Sequence, residues 1–444
     1  MRIRHLLLTT AWVLVPALIV PAPASAATRG TSGRWLVGPT SRAALTPIVL
    51  FPAFHLTRLR VTVHNQSTDP ACPRSGSFED SYLGPLSTEF SPICRDELLT
   101  LRYDFGSARP VAERFHEQPG VTVSVAGYGS TASAPLYEPM YRALEAAGYT
   151  RNHNVRVAGY DARLTPDQGG FLRRAIRLIE QTSRANGNRP VRLVGHSNGP
   201  LYAQYVLTHT PQRWKDRYIQ GFTPLAGNFP GQGVLYPVIF TGLNNDDFTF
   251  PTTVDKSRSA ARMFLTAPST YMSASDPRVF GRREVVVIDR STGKSYTPVD
   301  WPRLLADANL PVAAEIARYY IGFVRFADPA AFPNVDVDAE KGSGIPTMVG
   351  ASLPDLRVGR PVDSSVQFLT RDGDINQEDL TNDAVGVWAA MRCHRFSLTD
   401  NPGVDHFALP GNPAVLTRLI ANAARPPTRC ARRRSTHPGA GDST

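Results

Sequence analysis

Through the first half of the chain, short apolar runs alternate with longer stretches of helical periodicity. Pro47-Ile-Val-Leu-Phe-Pro52 is an apolar strand that stops abruptly at Pro52-Ala53-Phe54-His55. Val121-Thr-Val-Ser-Val-Ala126 alternates apolar and polar positions with a period of two, the signature of a strand with one covered face. Leu136 to Gly148 reads as a helix ended by its glycine, and Val155-Arg-Val-Ala-Gly159 as the next strand. Apolar residues at 171, 172, 175, 176, 178 and 179 put one buried face on a helix over Phe171 to Arg184. Val191-Arg-Leu-Val194 is again a strand, Leu201 to Leu207 a helix, and Tyr218-Ile-Gln-Gly-Phe-Thr223 one more strand. Strand and helix in alternation predict a mostly parallel sheet covered on both faces.

The rhythm breaks at Asn228. Gly, Pro, Asn and Asp dominate as far as Phe264, and helical patterns such as Val312 to Phe326 follow without intervening strands. Residues 228–342 are therefore expected to form an insertion over the sheet, a cap with a mobile lid in its Gly/Asp-rich part. Sheet character is expected to resume at Ile345-Pro-Thr-Met-Val349, and Pro413 to Ala424 reads as the closing helix. No internal repeat is visible.

The two ends read differently. Arg2, Arg4 and His5, an apolar Leu6 to Val20 and the small-residue site Ala24-Ser25-Ala26 describe a secretory signal peptide over residues 1–26. No second apolar run follows it, so a secreted, extracellular protein is expected, with one large domain over 27–425. Residues 426–444 are rich in Pro, Arg and Ser and are expected to be a disordered tail.

The net charge of +10 comes overwhelmingly from arginine. No helix-turn-helix, zinc knuckle or aromatic-interleaved basic run accompanies it, so a nucleic-acid partner is not expected; a solvated surface, or attraction to anionic lipid, is. The chain has four cysteines, Cys72, Cys94, Cys393 and Cys430. In an exported protein an even count reads as disulfides. Of the three possible pairings, Cys72–Cys94 with Cys393–Cys430 closes the shortest loops. The loop 72–94 carries Phe78, Tyr82, Leu83 and Phe90 among Ser, Gly, Pro and Glu; it is either a surface-binding device or a stapled loop packed on the body. Apart from the adjacent Cys393-His394, no Cys or His pair has ligand spacing, so neither a metal nor a cofactor is expected.

The chemistry concentrates at Gly195-His196-Ser197-Asn198-Gly199, between a predicted strand and a predicted helix. G-x-S-x-G in that setting is a nucleophile elbow, a strained turn that needs flanking residues without side chains. A serine hydroxyl is a weak nucleophile and requires a base that a third group orients. In α/β-hydrolases the chain order is Ser, acid, His. Arg371-Asp372-Gly373-Asp374-Ile375 and Val404-Asp405-His406-Phe407 follow in that order. Asp374 is the expected acid, with Asp372 its competitor, and His406 the expected base. The backbone N–H groups of Asn198, after the nucleophile, and Phe54, after the first core strand, are the expected oxyanion donors.

Several further segments resemble the lecithin:cholesterol acyltransferase and lysosomal phospholipase family. Trp214-Lys-Asp-Arg-Tyr-Ile-Gln-Gly-Phe222 is similar to the family's W-K-D-R-F-I-x-G-F, Tyr160-Asp161-x-Arg163-Leu164 to its Y-D-W-R-L, and Tyr296-Thr297-Pro298-x-Asp300 to its Y-T-x-x-D. The resemblance runs over about residues 46 to 410. It implies a serine acyl enzyme of the α/β-hydrolase fold, with the roles above on Ser197, Asp374, His406, Phe54 and Asn198. It also implies a small membrane-binding subdomain at the Cys72–Cys94 loop. The chain departs from the family pattern at three loops: Pro52-Ala-Phe-His-Leu-Thr57 for P-G-x-L-G-N, Ala226-Gly-Asn-Phe-Pro-Gly-Gln232 for G-A-P-W-G-G-S, and Gly373-Asp-Ile-Asn-Gln377 for G-D-x-T-V.

The expected function is that of a secreted lipid acyl hydrolase or O-acyltransferase, acting on glycerophospholipid esters through an acyl-enzyme on Ser197. Its expected partner is a lipid substrate at a membrane or lipoprotein-like surface; the oligomeric state stays open. The rival readings are a secreted carboxylesterase or triglyceride lipase, and a non-catalytic lipid-binding descendant.

Overall fold

The computed structural model describes residues 45–80, 89–244 and 249–430. The expected signal peptide, Tyr82 and Leu83 of the cysteine loop, and the tail beyond Cys430 lie outside the described residues. Six strands form the central sheet: β1 (Ile48–Phe51), β2 (Val155–Val157), β3 (Val191–His196), β4 (Ile219–Leu225), β5 (Val337–Ser343) and β6 (Phe396–Pro402). Their order is β6-β5-β4-β3-β1-β2, and every neighbouring pair is parallel. Parallel strands need crossover connections, which carry helices onto both faces and leave the central strands apolar throughout. In β1, Val49 and Phe51 point into one apolar cluster with Leu193, Phe222 and Tyr202. Ile48 and Leu50 point into the other, with Val194, Leu225 and Leu419. Helices Phe171–Ala185 and Gly199–Thr208 supply the first cluster, and Glu138–Ala146 and Pro413–Ala423 the second. Because β1 lies between β2 and β3, the crossovers run off to either side of it. That switch point, at the carboxyl ends of the strands, is where an open α/β sheet places its site. The architecture is that of an α/β-hydrolase.

The structure corrects two expectations about the interval 228–342. It contains strands as well as helices: Val287–Asp289 and Lys294–Tyr296 form a hairpin that joins Ile345–Leu353 and Gln367–Gly373 in a second, four-stranded sheet. Ile345–Leu353 thus belongs to that sheet, and the central sheet resumes earlier, with β5. The sequence of β5 is Val-Asp-Ala-Glu-Lys-Gly-Ser, yet all seven residues are buried. Its charges are paired in place, Asp338 with Arg192 of β3, Glu340 with Arg418 and Lys341 with Asp383. A buried charge is tolerated only with such partners. The helices of the interval, among them Leu235–Thr241, Val254–Thr266 and Pro311–Tyr320, bury Tyr236, Phe264 and Ile316. Among the described residues no helix is long and apolar enough to cross a membrane.

Both sequence-local disulfides are present, Cys72–Cys94 and Cys393–Cys430. Within the first loop, strand Gly76–Asp80 pairs with Leu59–Val63, and Phe78 and Phe90 are buried with ring centroids 4.9 Å apart. Those two aromatic residues pack the loop instead of presenting a surface. Pro426 to Cys430 has no regular structure, but it is tied to the body. The Pro426 carbonyl accepts from Arg395 and the Thr428 N–H donates to Asp336, each at 2.9 Å. The ordered body therefore reaches Cys430, five residues past the boundary expected from composition.

Candidate active site

β3 ends at His196 and the next helix starts at Gly199, so Ser197 sits at the apex of a two-residue turn with φ +60°. That left-handed conformation is costly for a residue with a Cβ and persists only where the surroundings over-determine it. Here the Ser197 N–H donates to the Leu225 carbonyl and its own carbonyl accepts from Asn228 N–H, both at 2.9 Å. The two glycines of the motif are needed for close approach. A Cβ on Gly199 would stand 2.0 Å from the Phe51 carbonyl oxygen, and one on Gly195 would stand 2.7 Å from Pro200 N.

Asp374 and His406 are brought together although 32 residues apart. His406 Nδ1 donates to Asp374 Oδ2 at 2.9 Å, and the His406 backbone N–H donates to the Asp374 carbonyl at 2.8 Å. A carboxylate only accepts, so the proton lies on Nδ1 and Nε2 is the basic nitrogen of the neutral ring. Asp374 Oδ1 accepts from the N–H groups of Gln377 (2.7 Å) and Asn376 (3.1 Å). Burial works to raise the Asp374 carboxyl. His406, by charge and hydrogen bond, and the two backbone donors outweigh it and hold the pKa below the ordinary carboxylate value. Asp372, the competitor, is exposed on the strand opposite Pro346 and takes no part.

His196 connects the loops around the serine. Its Nε2 is 2.9 Å from the His406 carbonyl, so Nε2 carries the proton; its Nδ1, 2.9 Å from the Tyr137 hydroxyl, then accepts. The same hydroxyl accepts from the Ala53 N–H at 2.8 Å. Burial pushes the His196 pKa well below its ordinary value, so the ring stays neutral. One tyrosine and one histidine thereby tie the turn carrying Phe54 to the loop carrying His406. The backbone N–H groups of Phe54 and Asn198 donate to nothing among the described residues, as two free oxyanion donors would. The Asn198 side chain is occupied elsewhere, donating to Ser273 Oγ at 2.7 Å and accepting from Asn228 at 2.8 Å.

Tyr137, Asn228, Ser273 and Asn376 thus belong to the site beyond the residues the sequence picks out, as does Gln232, whose Oε1 accepts from Asn376 Nδ2 at 2.9 Å. No spacing rule finds them, since each acts through a tertiary contact. Gln232 and Asn376 did have one signal, their place in loops that depart from the family pattern. The motifs that carried the resemblance are scaffolding. Arg163, 1% exposed, pairs with Asp161 and Glu117, and the Tyr160 ring stacks on Tyr202 with centroids 3.6 Å apart while its hydroxyl donates to the Pro52 carbonyl. Trp214 Nε1 donates to Glu180, and Lys215 Nζ to the Pro333 carbonyl, both at 2.9 Å. Thr297 and Asp300 form a reciprocal helix cap.

The chain is similar to a set of related acyltransferases and phospholipases. The lecithin:cholesterol acyltransferase family model matches residues 110–293. A lysosomal phospholipase A and acyltransferase of Mus musculus is 30% identical over 317 residues, 68% of this chain and 72% of that protein. A lecithin-cholesterol acyltransferase-like 1 of Oryza sativa subsp. japonica is 26% identical over 411 residues, covering 89% of this chain and 88% of its own. The phosphatidylcholine-sterol acyltransferase of Homo sapiens is 29% identical over 304 residues, 65% of this chain and 64% of that one.

Proposed function

The chain belongs to the lecithin:cholesterol acyltransferase family, and from that premise we propose that it is an exported enzyme that takes an acyl group from a glycerophospholipid onto Ser197 and passes it to water or to an alcohol. Enzymes of this phospholipase and acyltransferase class run two half-reactions on one serine. Ser197 Oγ attacks the ester carbonyl while His406 Nε2 takes its proton. Asp374, hydrogen-bonded at Nδ1, holds the ring and stabilises the imidazolium. The developing oxyanion is met by the free N–H groups of Phe54 and Asn198, each worth about 3–4 kcal/mol in a preorganised site. The alcohol part of the lipid leaves with the proton from Nε2. A second oxygen then attacks the acyl-enzyme by the same route in reverse.

The observations that carry the reading are the 2.9 Å Asp374–His406 pair and a serine held at positive φ at the end of β3. Exposed Phe407 and Ile375, each next to a member of that pair, and the net charge of +10 support work at a lipid surface that is apolar within and anionic outside. The test is acyl-labelled phospholipid in vesicles, with wild type and Ser197→Ala. Loss of both fatty acid and acyl ester in the variant is expected, and full activity in it would overturn the assignment. Equal rates on soluble short-chain esters and on vesicles would point instead to an ordinary carboxylesterase.

A further inference from the structure

The basic nitrogen of His406 has a neighbour that the triad does not require. Asn376 Nδ2 stands 3.4 Å from His406 Nε2, and the same amide donates to Gln232 Oε1 at 2.9 Å. Asn376 and Gln232 are 144 residues apart, and both stand where this chain departs from the family pattern, Gln232 at a serine position and Asn376 at a threonine position. Two independent departures that meet as a hydrogen-bonded pair of amides against the base are one feature, not two.

The backbone shows that the pair is built. Ile375 has φ +81°, a genuine outlier for a β-branched residue. It is held there by its N–H to Thr347 Oγ1 (2.8 Å) and by the Asp374 carboxylate, which accepts from the next two N–H groups. That strained turn is what aims the Asn376 side chain at Nε2 instead of at solvent. On the other side, Gln232 is fixed by its N–H to the Ser273 carbonyl at 2.9 Å. Asn376 Oδ1 and Gln232 Nε2 have no partner among the described residues, so the pair still offers one acceptor oxygen and the two N–H groups of Gln232.

Three oxygens must visit Nε2 in one cycle: the serine Oγ, the oxygen of the leaving alcohol, and the oxygen of the acceptor. The serine comes from the elbow, whereas the other two are not part of the chain and need a separate place beside the nitrogen. A hydrogen-bond donor standing at Nε2 marks that place. We propose that the side-chain amides of Asn376 and Gln232 bind the non-acyl oxygen of the reaction, and so set how the acyl group divides between water and an alcohol. This rests on the acyl-enzyme reading above. In the second half-reaction the acceptor hydroxyl oxygen accepts from the amide pair and bonds the acyl carbon while its proton passes to Nε2. The Oγ–acyl bond then breaks and Oγ takes that proton back. Water can present either of two O–H groups to Nε2, but an alcohol has a single O–H and a bulky substituent and must be oriented, so losing the amides penalises alcohol more.

The partition ratio tests this, because both products come from one acyl-enzyme and a general loss of activity cancels. Acyl-labelled phospholipid vesicles containing a long-chain primary alcohol are turned over by wild type, Asn376→Ala, Asn376→Thr and Gln232→Ala, and acyl ester is measured against free fatty acid. The ratio is expected to fall about five- to tenfold in Asn376→Ala and in Gln232→Ala, the factor one hydrogen bond supplies, and to recover in part with the threonine hydroxyl. Unchanged ratios, with the acyl group still trapped on Ser197 after acid quenching, would overturn the amide site alone. If wild type traps no acyl group on Ser197, the acyl-enzyme reading falls and this one with it.

Discussion

Removing one hydroxyl, by Tyr137→Phe, probes the connection between the two loops that flank the serine. That oxygen accepts from the Ala53 N–H at 2.8 Å and donates to His196 Nδ1 at 2.9 Å, and Tyr137, Ala53 and His196 are all buried. Phenylalanine keeps the ring packing and leaves two buried polar groups without partners. Each such group costs about 1–3 kcal/mol, giving about 2–6 kcal/mol for the pair. A cavity of about 300 Å³ lined by Tyr137, His196, Leu56 and Met140 lies alongside and is roomy enough for water to take over part of the bonding. The expected destabilisation is therefore near the lower end, about 2–3 kcal/mol. Activity should fall as well, because Ala53 precedes Phe54 and His196 holds the His406 carbonyl. A loss of about ten- to a hundredfold in kcat is expected, less than removal of an oxyanion donor itself. Urea unfolding followed by circular dichroism gives the first quantity, and turnover on phospholipid vesicles the second. A cycle with His196→Leu should show coupling of at least about 0.5 kcal/mol. A Tyr137→Phe protein within about 0.5 kcal/mol of wild type and with undiminished kcat would refute the reasoning.

Gly199→Ala should yield no soluble folded protein, or one with the elbow displaced, because its Cβ meets the Phe51 carbonyl at 2.0 Å; normal yield and melting temperature would count against the close approach. Asp374→Asn keeps the shape, but with its oxygen held by the Asn376 and Gln377 N–H groups its NH2 faces His406 Nδ1 and imposes the wrong tautomer; a fall in kcat of about 10⁴ with little change in stability is expected from paired activity and melting measurements. Glu378 is governed by burial first and by the adjoining Glu284 carboxyl second, which together push its pKa from the ordinary 4.5 to about 8. Between those values the folded chain holds a proton that the unfolded chain has lost, so this group's contribution to stability is present at low pH and is lost as pH rises through about 8. Glu378→Gln should flatten the decline in melting temperature between pH 5 and 8, and parallel slopes for the two proteins would sink the idea.

Much of the site was legible because its chemistry is local in sequence. G-x-S-x-G needs only five residues to state a strained turn, and the order Ser197, Asp374, His406 follows from chain direction through a parallel sheet. The choice between Asp372 and Asp374 was another matter. Successive residues of a strand point to opposite faces, and these two differ by whether they lie on the strand or in the turn after it, which no composition rule resolves. The strands of the interval 228–342 are invisible in its sequence pattern for a similar reason: the hairpin at Val287–Tyr296 gains its partner from Ile345–Leu353, more than fifty residues on.

The apolar runs Ile48–Phe51, Val191–Val194 and Ile219–Phe222, with the helical periods between them, by themselves determined a doubly covered parallel sheet with a serine at one strand end. Periodicity suffices there, because an apolar side chain needs only to leave water and accepts almost any apolar neighbour. Tertiary structure alone decided where charged and amide groups go. β5 is an interior strand although it reads Val-Asp-Ala-Glu-Lys-Gly-Ser, since Asp338, Glu340 and Lys341 are each cancelled by a partner from a distant part of the chain. Asn376 reaches His406 because a strained Ile375 and a glutamine 144 residues away hold it there. Hydrogen bonds and ion pairs are directional and name their partner, and that partner exists only once the chain has folded.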